Sequence, residues 1–140
     1  MMSKTMHKLW LKVTAVAIFC YAILFFLGTI TKTNKLIQLV LDFSSWPLDG
    51  NQNYDAPTTV FLSALLGGIL LGWAVLIWLL SSEIYEKAPE QTRKIVLTSL
   101  LSWFLVDSLG SILSGNFNNF IVNIFLLLIL VGPLWRPARE

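Results

Sequence analysis

The sequence predicts an all-α membrane protein, with four transmembrane helices packed as an antiparallel bundle. The 140 residues are 56% hydrophobic, with a mean hydropathy of +0.71, whereas apolar residues make up somewhat less than half of a typical soluble domain. Four apolar stretches approach the roughly 20 residues that a membrane-spanning helix needs. The connections are too short for another folded unit, so one transmembrane domain is predicted over residues 1–140.

The first span is predicted at residues 13–30, after Lys4, Lys8 and Lys12. A secretory signal can look similar, but this run is longer than a usual signal core and no small-x-small cleavage site follows it, so we expect a retained helix. Cys20, the single cysteine, lies within the run. It is expected to be a packing residue, and an intrachain disulfide is excluded.

The other spans are predicted at residues 59–80, 95–114 and 119–135. The second follows Pro57, which suits the first turn of a helix. Only the turn-forming sequence Gly-Asn-Phe-Asn at 115–118 separates the last two spans. These two are therefore expected to form an antiparallel hairpin.

Basic residues predict the orientation, because short loops rich in Lys and Arg stay on the cytoplasmic side. Eight of them lie at the two termini and between the second and third spans: Lys4, Lys8, Lys12, Lys87, Arg93, Lys94, Arg136 and Arg139. The other two connections hold only Lys32 and Lys35. Both termini are therefore predicted to be cytoplasmic. The net charge of only +2 argues against a nucleic-acid partner.

The outer loop, residues 31–58, is long for a connection without structure. Its segment 35–43 is too short to cross a membrane and too apolar to stay in water, which predicts an interfacial helix. Trp46 would anchor that helix at headgroup depth. With Asp49 and Asp55, Trp46 forms a candidate lid on the outer face.

Asp107 is the ionisable residue that the predicted topology places inside the hydrocarbon core, in its outer half. An ionised carboxylate there costs about 2.5–3.5 kcal/mol on insertion scales, so it is expected to face the bundle interior or to be protonated. Ser63, Ser111 and Asn123 are predicted at similar depth. Together with Asp107 they form a candidate polar cavity beneath the lid.

These polar residues also have structural interpretations. Asp107 can fix helix packing through a hydrogen bond, or it can bind a ligand, an ion or a proton, and Asn123 can serve as an interhelical hydrogen-bonding group. Gly67, Gly68 and Gly72 are expected to pack against another helix, because Gly68 and Gly72 form a small-xxx-small pair.

No residue pattern indicates a catalytic site, a metal site or a cofactor. His7 is the only histidine, which excludes bis-histidine haem ligation within one chain. Asp107 has no ionisable partner within the predicted core, whereas general acid–base catalysis usually needs two positioned groups. Folding of Asp49 or Asp55 down onto Asp107 would supply such a partner.

Three stretches of the chain carry a resemblance to a known group of proteins. They read DFSSWPLDG at 42–50, FLSALLGGILLGW at 61–73 and WFLVDSLGS at 103–111, and they cover about a quarter of the sequence. They resemble uncharacterised small four-span bacterial membrane proteins that are loosely DoxX-like. The resemblance implies a four-helix fold in the bacterial inner (plasma) membrane, and it implies no activity or site residue.

Two functions remain open. The first is a non-catalytic accessory subunit or self-associating bundle, with the lipid bilayer and a homo-oligomer or larger membrane complex as its partners. The second is binding or transport of a small molecule, lipid, ion or proton through the outer-leaflet cavity centred on Asp107.

Overall fold

A computed structural model of the chain describes residues 2–30, 32–51 and 54–137. Within these residues the helices are α1 (Lys4–Gly28), α2 (Lys35–Ser45), α3 (Pro57–Leu79), α4 (Pro89–Leu113) and α5 (Phe117–Val131). A π-helical segment, Leu80–Ile84, continues α3, and a 3-10 helix, Gly132–Trp135, continues α5. The four helical stretches other than α2 are long and apolar enough to cross a membrane. The all-α prediction with four such helices is therefore confirmed.

All four long helices begin earlier than the predicted spans, and α1 and α4 do so by the most. At the start of α1, the Ser3 hydroxyl accepts a hydrogen bond from the Met6 backbone N–H at 3.2 Å, which caps the helix. The helix α4 begins with Pro89. Proline suits this position because an N–H in the first turn has no intrahelical acceptor, so its absence costs no hydrogen bond. Apolar content indicates the part of a helix that can cross a membrane, whereas these local residues decide where the helix begins.

A change of helix type ends α3. The hydroxyls of Ser81 and Ser82 donate to the Trp78 carbonyl at 2.7 and 3.0 Å, in competition with backbone donors. The Tyr85 N–H then bonds to the Leu80 carbonyl at 2.9 Å, five residues back. The last turn is wider than an α-helix as a result.

The most extensive helix contacts join α1 to α3 and α4 to α5. Alanines lie where α1 and α3 meet, with Ala15, Ala22 and Ala74 almost completely buried. Large apolar side chains elsewhere on the long helices are widely exposed, as expected for surfaces in contact with lipid.

One face of α1 also bonds to the end of α5. His7 Nε2 donates to Pro133 O at 3.0 Å, Trp10 Nε1 donates to Ile129 O at 3.0 Å, and Thr14 Oγ1 donates to Leu130 O at 2.9 Å. A helix leaves its last carbonyls without intrahelical donors, so α1 satisfies the carbonyl end of α5. Gly132 has a φ of +40°, and a Cβ there would overlap the Trp10 ring.

The helix α2 packs between the ends of α1 and α5. Asn118 Nδ2, near the start of α5, donates to the Phe43 carbonyl. The side of α2 that faces away from the chain is apolar: Leu36, Leu39 and Phe43 are 61%, 58% and 47% exposed. The predicted segment 35–43 is thus helical, with an unpartnered apolar face among the described residues.

The turn after α2 is closed by a buried acid. Both carboxylate oxygens of Asp42 accept from the Gly50 N–H, each at 3.2 Å, and Gly50 has a φ of +68° that favours glycine. Asp42 is only 7% exposed. This loop acid therefore has a structural bond within the turn.

Candidate functional site

Asp107 lies on α4, six residues before Leu113 and so about 9 Å from the end of the helix. Its Oδ2 accepts a hydrogen bond from Asn123 Nδ2 of α5 at 3.1 Å. The same amide nitrogen lies 3.4 Å from Ser108 Oγ. Asn123 and Ser108 are buried, whereas Asp107 is partly exposed. The Asp107–Asn123 bond thus joins the two helices of the hairpin at the edge of their interface.

The inward face of α4 differs from the predicted one. Its buried residues towards the hairpin turn are Ser108 and Ser111, at 5% and 6% exposure, while Gly110 is exposed. From the sequence, Asp107 is expected to face the bundle interior. The centre of the observed face lies one residue later, at Ser108, so Asp107 lies at its edge.

A run of polar side chains connects Asp107 to the hairpin turn. Asn116 Nδ2 donates to Ser114 Oγ at 3.2 Å, Ser114 Oγ to Ser111 O at 3.1 Å, Asn119 Nδ2 to Ser111 Oγ at 2.7 Å, and Ser111 Oγ to Asp107 O at 2.7 Å. We call these residues, with Asn123 and Ser108, the polar line. The polar line begins at the exposed end of the hairpin and reaches the backbone carbonyl of Asp107, while Asn123 bonds its carboxyl.

Apolar residues follow the polar line on the other side of Asp107. Trp103 lies one turn away and packs against Trp73 of α3, with 6.3 Å between ring centroids. Leu100 and Val96 come next on the buried face of α4. In the part of the chain that the structure describes, the polar line therefore does not continue across the molecule.

Ser63 lies apart from the polar line in its bonding. It is buried on α3, on the helix face that also holds Gly67, whose position is close to the Ala22 carbonyl of α1. No hydrogen bond among the described residues joins Ser63 to Asp107, Ser111 or Asn123. Tyr21 of α1 lies in the neighbourhood of Asp107.

The three candidate lid residues bond within their own loop or not at all. Trp46 is 60% exposed. Asp49 Oδ1 accepts from the Asn51 N–H at 3.1 Å, and Asp55 Oδ1 accepts from Asn34 Nδ2 at 3.3 Å. Within residues 32–51 and 54–137, none of the three is hydrogen-bonded to the polar line. The candidate lid is therefore not joined to Asp107 by hydrogen bonds within these residues.

The three glycines of α3 divide into two groups. A Cβ on Gly67 would lie 3.1 Å from the Ala22 carbonyl and 3.2 Å from the Phe26 N–H of α1, so this glycine permits close packing. A Cβ on Gly68 or Gly72 would meet no atom of the described residues within 4 Å. The small-xxx-small pair consequently faces away from the chain, and the expected packing applies within the chain only to Gly67.

A second group of polar residues occupies the opposite end of the molecule, which we call the basic end because it carries Lys8, Lys12, Lys87, Arg93 and Lys94. Arg93 is 7% exposed. Its Nε and Nη2 donate to the two Glu90 carboxylate oxygens at 2.8 and 2.6 Å, and Nη1 donates to Leu134 O at 2.7 Å. His7, which bonds Pro133 O, is completely buried.

His7 and Arg93 are residues that the sequence analysis missed. Both precede a predicted span, His7 the first and Arg93 the third, and neither was given a role in a site. No local sequence signal marks them, because their bonds to Pro133 and Leu134 form only where the first turns of α1 and α4 meet the 3-10 helix after α5. Arg139, counted among the basic residues, lies outside the described residues.

Tyr85 and Glu86 lie in the connection between the π-helical segment and α4. The Tyr85 hydroxyl is buried and has no hydrogen-bond partner among the described residues, and burial raises its pKa above 10.0. Lys8 Nζ lies 2.6 Å from Glu86 Oε1, and this bond lowers the pKa of the exposed carboxyl. The stabilisation from that pair is present at neutral pH and is lost as the pH falls through the lowered pKa.

The structure also bears on ligands. Among the described residues, no group of three or more His, Cys, Asp or Glu side chains is placed to hold a metal ion. Cys20 is exposed on α1 rather than packed in the core. Among the described residues, an apolar cavity lies between α1 and α3, and Asp107 does not line it.

Four helical stretches suited to cross a bilayer, with short connections, define a small multi-pass membrane protein. No protein-family model, curated protein or solved structure matches the chain. Its function must therefore be inferred from the residues themselves.

Proposed function

We propose that the protein is a non-catalytic subunit of a membrane assembly, and that it binds its partner chain through the surface of α4 around Asp107. The partner is a second copy of this chain or another membrane protein. The observation that carries the proposal is the partly exposed Asp107 carboxyl on a helix apolar enough to span a membrane.

The surroundings of Asp107 favour coverage by another chain. Leu105, Val106 and Leu109 are 65%, 74% and 58% exposed, so this surface would face hydrocarbon in a lone protein. A carboxylate at such a position costs about 2.5–3.5 kcal/mol, and among the described residues only Asn123 donates a side-chain hydrogen bond to it. A polar group from a neighbouring helix would lower that cost. Gly110, with open space at its Cβ position, allows a close approach.

The orientation belongs to the same proposal. The basic end faces the cytoplasm of a bacterium and the hairpin turn faces the outside, as the distribution of Lys and Arg favours. The resemblance to small DoxX-like proteins supports a location in the inner membrane. The four long helices form an antiparallel bundle, since each connection reverses the direction of the chain between successive helices.

Site-specific photo-crosslinking tests the partner surface. A photoreactive amino acid at Leu109 is expected to crosslink in native membranes, and Asp107→Leu is expected to abolish the product. A product of about twice the 15.8 kDa chain mass identifies a second copy, whereas another mass identifies a different subunit. Leu65, exposed on α3, is the matched control position.

Two results would overturn the assignment. A chain that is monodisperse and monomeric in mild detergent, with no crosslink at Leu109 in membranes, would remove the proposed assembly. A crosslink at Leu65 but not at Leu109 would place the interface on the Gly68–Gly72 side of α3 instead.

The helix α2 is proposed to lie at the outer membrane surface with Leu36, Leu39 and Phe43 in the lipid. Spin labels test this in a Cys20→Ser background. A label at Leu39→Cys is expected to be accessible to oxygen and protected from a water-soluble nickel reagent, and a label at Asp49→Cys should show the opposite. Equal nickel accessibility at both positions would contradict an interfacial α2.

A second function is favoured by the polar line, which provides hydrogen-bonding groups from the hairpin turn to Asp107. Such a line suits binding of an ion, a proton or a small polar molecule from the outer side. The apolar residues beyond Asp107 favour binding over transport through this chain alone.

Asp107→Asn separates the two functions, with Asn123→Leu as a comparison. If the polar line binds a cation, Asp107→Asn is expected to abolish saturable binding of that cation by calorimetry while the crosslink at Leu109 persists. If Asp107 serves assembly, the crosslink should weaken only modestly, because asparagine keeps a hydrogen-bonding side chain at this position. Loss of folding in Asp107→Asn would leave Asp107 a purely structural residue and contradict both roles.

A further inference from the structure

An apolar crevice of about 250 Å³ lies between α1 and α3 near the basic end. Its floor is formed by Ala15 and Ala74, which are 2% and 3% exposed. Its rims are formed by larger side chains that are exposed by nearly half: Val16, Phe19, Val75, Trp78 and Leu79. Small residues on the floor and large residues on the rims form a surface groove along the two helices.

The crevice has a cation at one end. Lys12 precedes Ala15, Val16 and Phe19 on the same face of α1. Its Nζ lies 5.3 Å from the centroid of the Trp78 ring, one wall of the crevice. The lining residues of α1, Ala15 to Phe19, extend about 6 Å along the helix axis, and Lys12 lies about one turn nearer the basic end.

Lys12 differs from the neighbouring lysine in its partners. Lys8 forms a 2.6 Å salt bridge with Glu86, whereas the salt bridges within the described residues do not include Lys12. A lysine at this depth keeps its ammonium group near the membrane surface while its methylene chain lies along apolar side chains. Its charge is thus available to a ligand that also places hydrocarbon below it.

We infer that the crevice binds one acyl chain of an anionic phospholipid, with the lipid phosphate held by Lys12. The dimensions favour a single hydrocarbon chain, because a helix of about 10–12 Å diameter with its side chains would not enter a crevice of 250 Å³. The charge favours an anionic headgroup, since basic residues near a membrane surface attract such lipids. This site is separate from the proposed partner surface on α4 and requires only that the basic end lie at a membrane surface.

Native mass spectrometry of the detergent-purified chain tests the site, with dioleoylphosphatidylglycerol as the probe and dioleoylphosphatidylcholine as the chain-matched neutral lipid. The first phosphatidylglycerol is expected to bind more tightly than the first phosphatidylcholine. Lys12→Gln is expected to reduce phosphatidylglycerol affinity by about fivefold, from about 1 kcal/mol for one lysine at the surface. Phosphatidylcholine affinity should change little.

Lys87→Gln is the matched control, because Lys87 is exposed in the connection before α4 and does not line the crevice. It removes the same charge at the same end and should leave the preference intact. Val75→Trp and Val16→Trp change exposed rim residues and should fill the crevice, lowering the affinity for both lipids without loss of helical content.

Three results would overturn the inference. Equal first-site affinities for the two lipids would remove the anionic preference. An equal loss in Lys12→Gln and Lys87→Gln would show a diffuse charge effect instead of a site. Unchanged binding in both folded tryptophan variants would show that the acyl chain lies elsewhere.

Discussion

Arg93 is held at the first turns of α4 by bonds to two different parts of the chain. Its guanidinium pairs with both oxygens of Glu90 and also donates to the Leu134 carbonyl of the 3-10 helix. Its neighbour Lys94 lies 3.9 Å from Glu90 with a side chain that is 67% exposed. Adjacent basic residues thus have very different surroundings, although both precede the same apolar run.

Arg93→Ala should lower the free energy of unfolding by about 2–3 kcal/mol, because it removes charge-assisted hydrogen bonds and leaves the Leu134 carbonyl without this donor. Lys94→Ala should change it by less than about 0.5 kcal/mol, as is typical of an exposed ion pair. Unfolding by sodium dodecyl sulfate in mixed micelles measures both. Equal losses in the two variants would contradict the role assigned to Arg93.

Tyr85→Phe should be neutral at pH 7 or stabilising by up to about 1 kcal/mol, because the buried hydroxyl has no partner among the described residues. The raised pKa of Tyr85 means that the folded state favours the protonated phenol. Its contribution is fully present below the unfolded pKa of about 10 and is lost as the pH rises through the folded pKa. Thermal unfolding at pH 7 and pH 11 should therefore show a smaller alkaline loss in Tyr85→Phe than in the unmodified chain.

Residue-level burial was the hardest property to predict from the sequence. Charge next to an apolar run usually indicates a solvated end, and this holds for Lys87. It fails for His7 and Arg93, because carbonyls of the 3-10 helix that follows α5 lie opposite them and accept their hydrogen bonds. Contacts between residues more than 40 positions apart leave no local pattern.

At the scale of helices, α3 has two faces that hydropathy alone does not distinguish. Its composition is apolar all round, yet one face packs on α1 through Gly67 and the other presents Gly68 and Gly72 to the surroundings. Small residues indicate that close packing is sterically allowed. They do not indicate whether the neighbour is within the same chain.

Gly67→Ile should destabilise the fold by about 1–3 kcal/mol, because the side chain would be forced against the Ala22 carbonyl and the Phe26 N–H. Gly72→Ile introduces the same side chain on the open face and should leave stability unchanged or raise it slightly, since glycine lowers helix propensity. Thermal unfolding followed by circular dichroism compares the pair. A larger loss in Gly72→Ile would mean that its face is the packed one.

The four long helices could be predicted because each contains an apolar stretch close to the membrane thickness. Their ends could be predicted less well, since the Ser3 cap and Pro89 extend α1 and α4 beyond their apolar parts. The partnership of Asp107 with Asn123 followed from equal depth in a short hairpin. The expected place of Ser63 in the same polar cavity did not follow from its depth, because depth does not determine which helix face a residue occupies.

At the scale of the whole molecule, the pair α1–α3 and the pair α4–α5 are joined at the basic end by donors on α1. The Thr14–Leu130 bond is the most buried of these bonds, with both the Thr14 hydroxyl and the Leu130 carbonyl away from solvent. These bonds hold the end of α5 against α1.

Thr14→Val should destabilise the molecule by about 1–2 kcal/mol, because the Leu130 carbonyl loses a buried donor while side-chain volume is kept. Thr14→Ser retains the hydroxyl and should lose much less. Hydrogen exchange followed by mass spectrometry should show faster exchange across Gly132–Trp135 in the valine variant. Unchanged exchange there would show that Trp10 and His7 suffice to hold this end.

The bonds from α1 to the end of α5 also constrain the order of assembly during synthesis. Thr14 and Trp10 enter the membrane with the first helix, and their acceptors are 116 and 119 residues later in the chain. At about 5–20 residues per second, these donors wait roughly 6–25 s for the nascent chain to supply them. The first helix therefore reaches its final bonding state only when the last helix has inserted, and a chain truncated before Ile129 would leave these donors facing hydrocarbon.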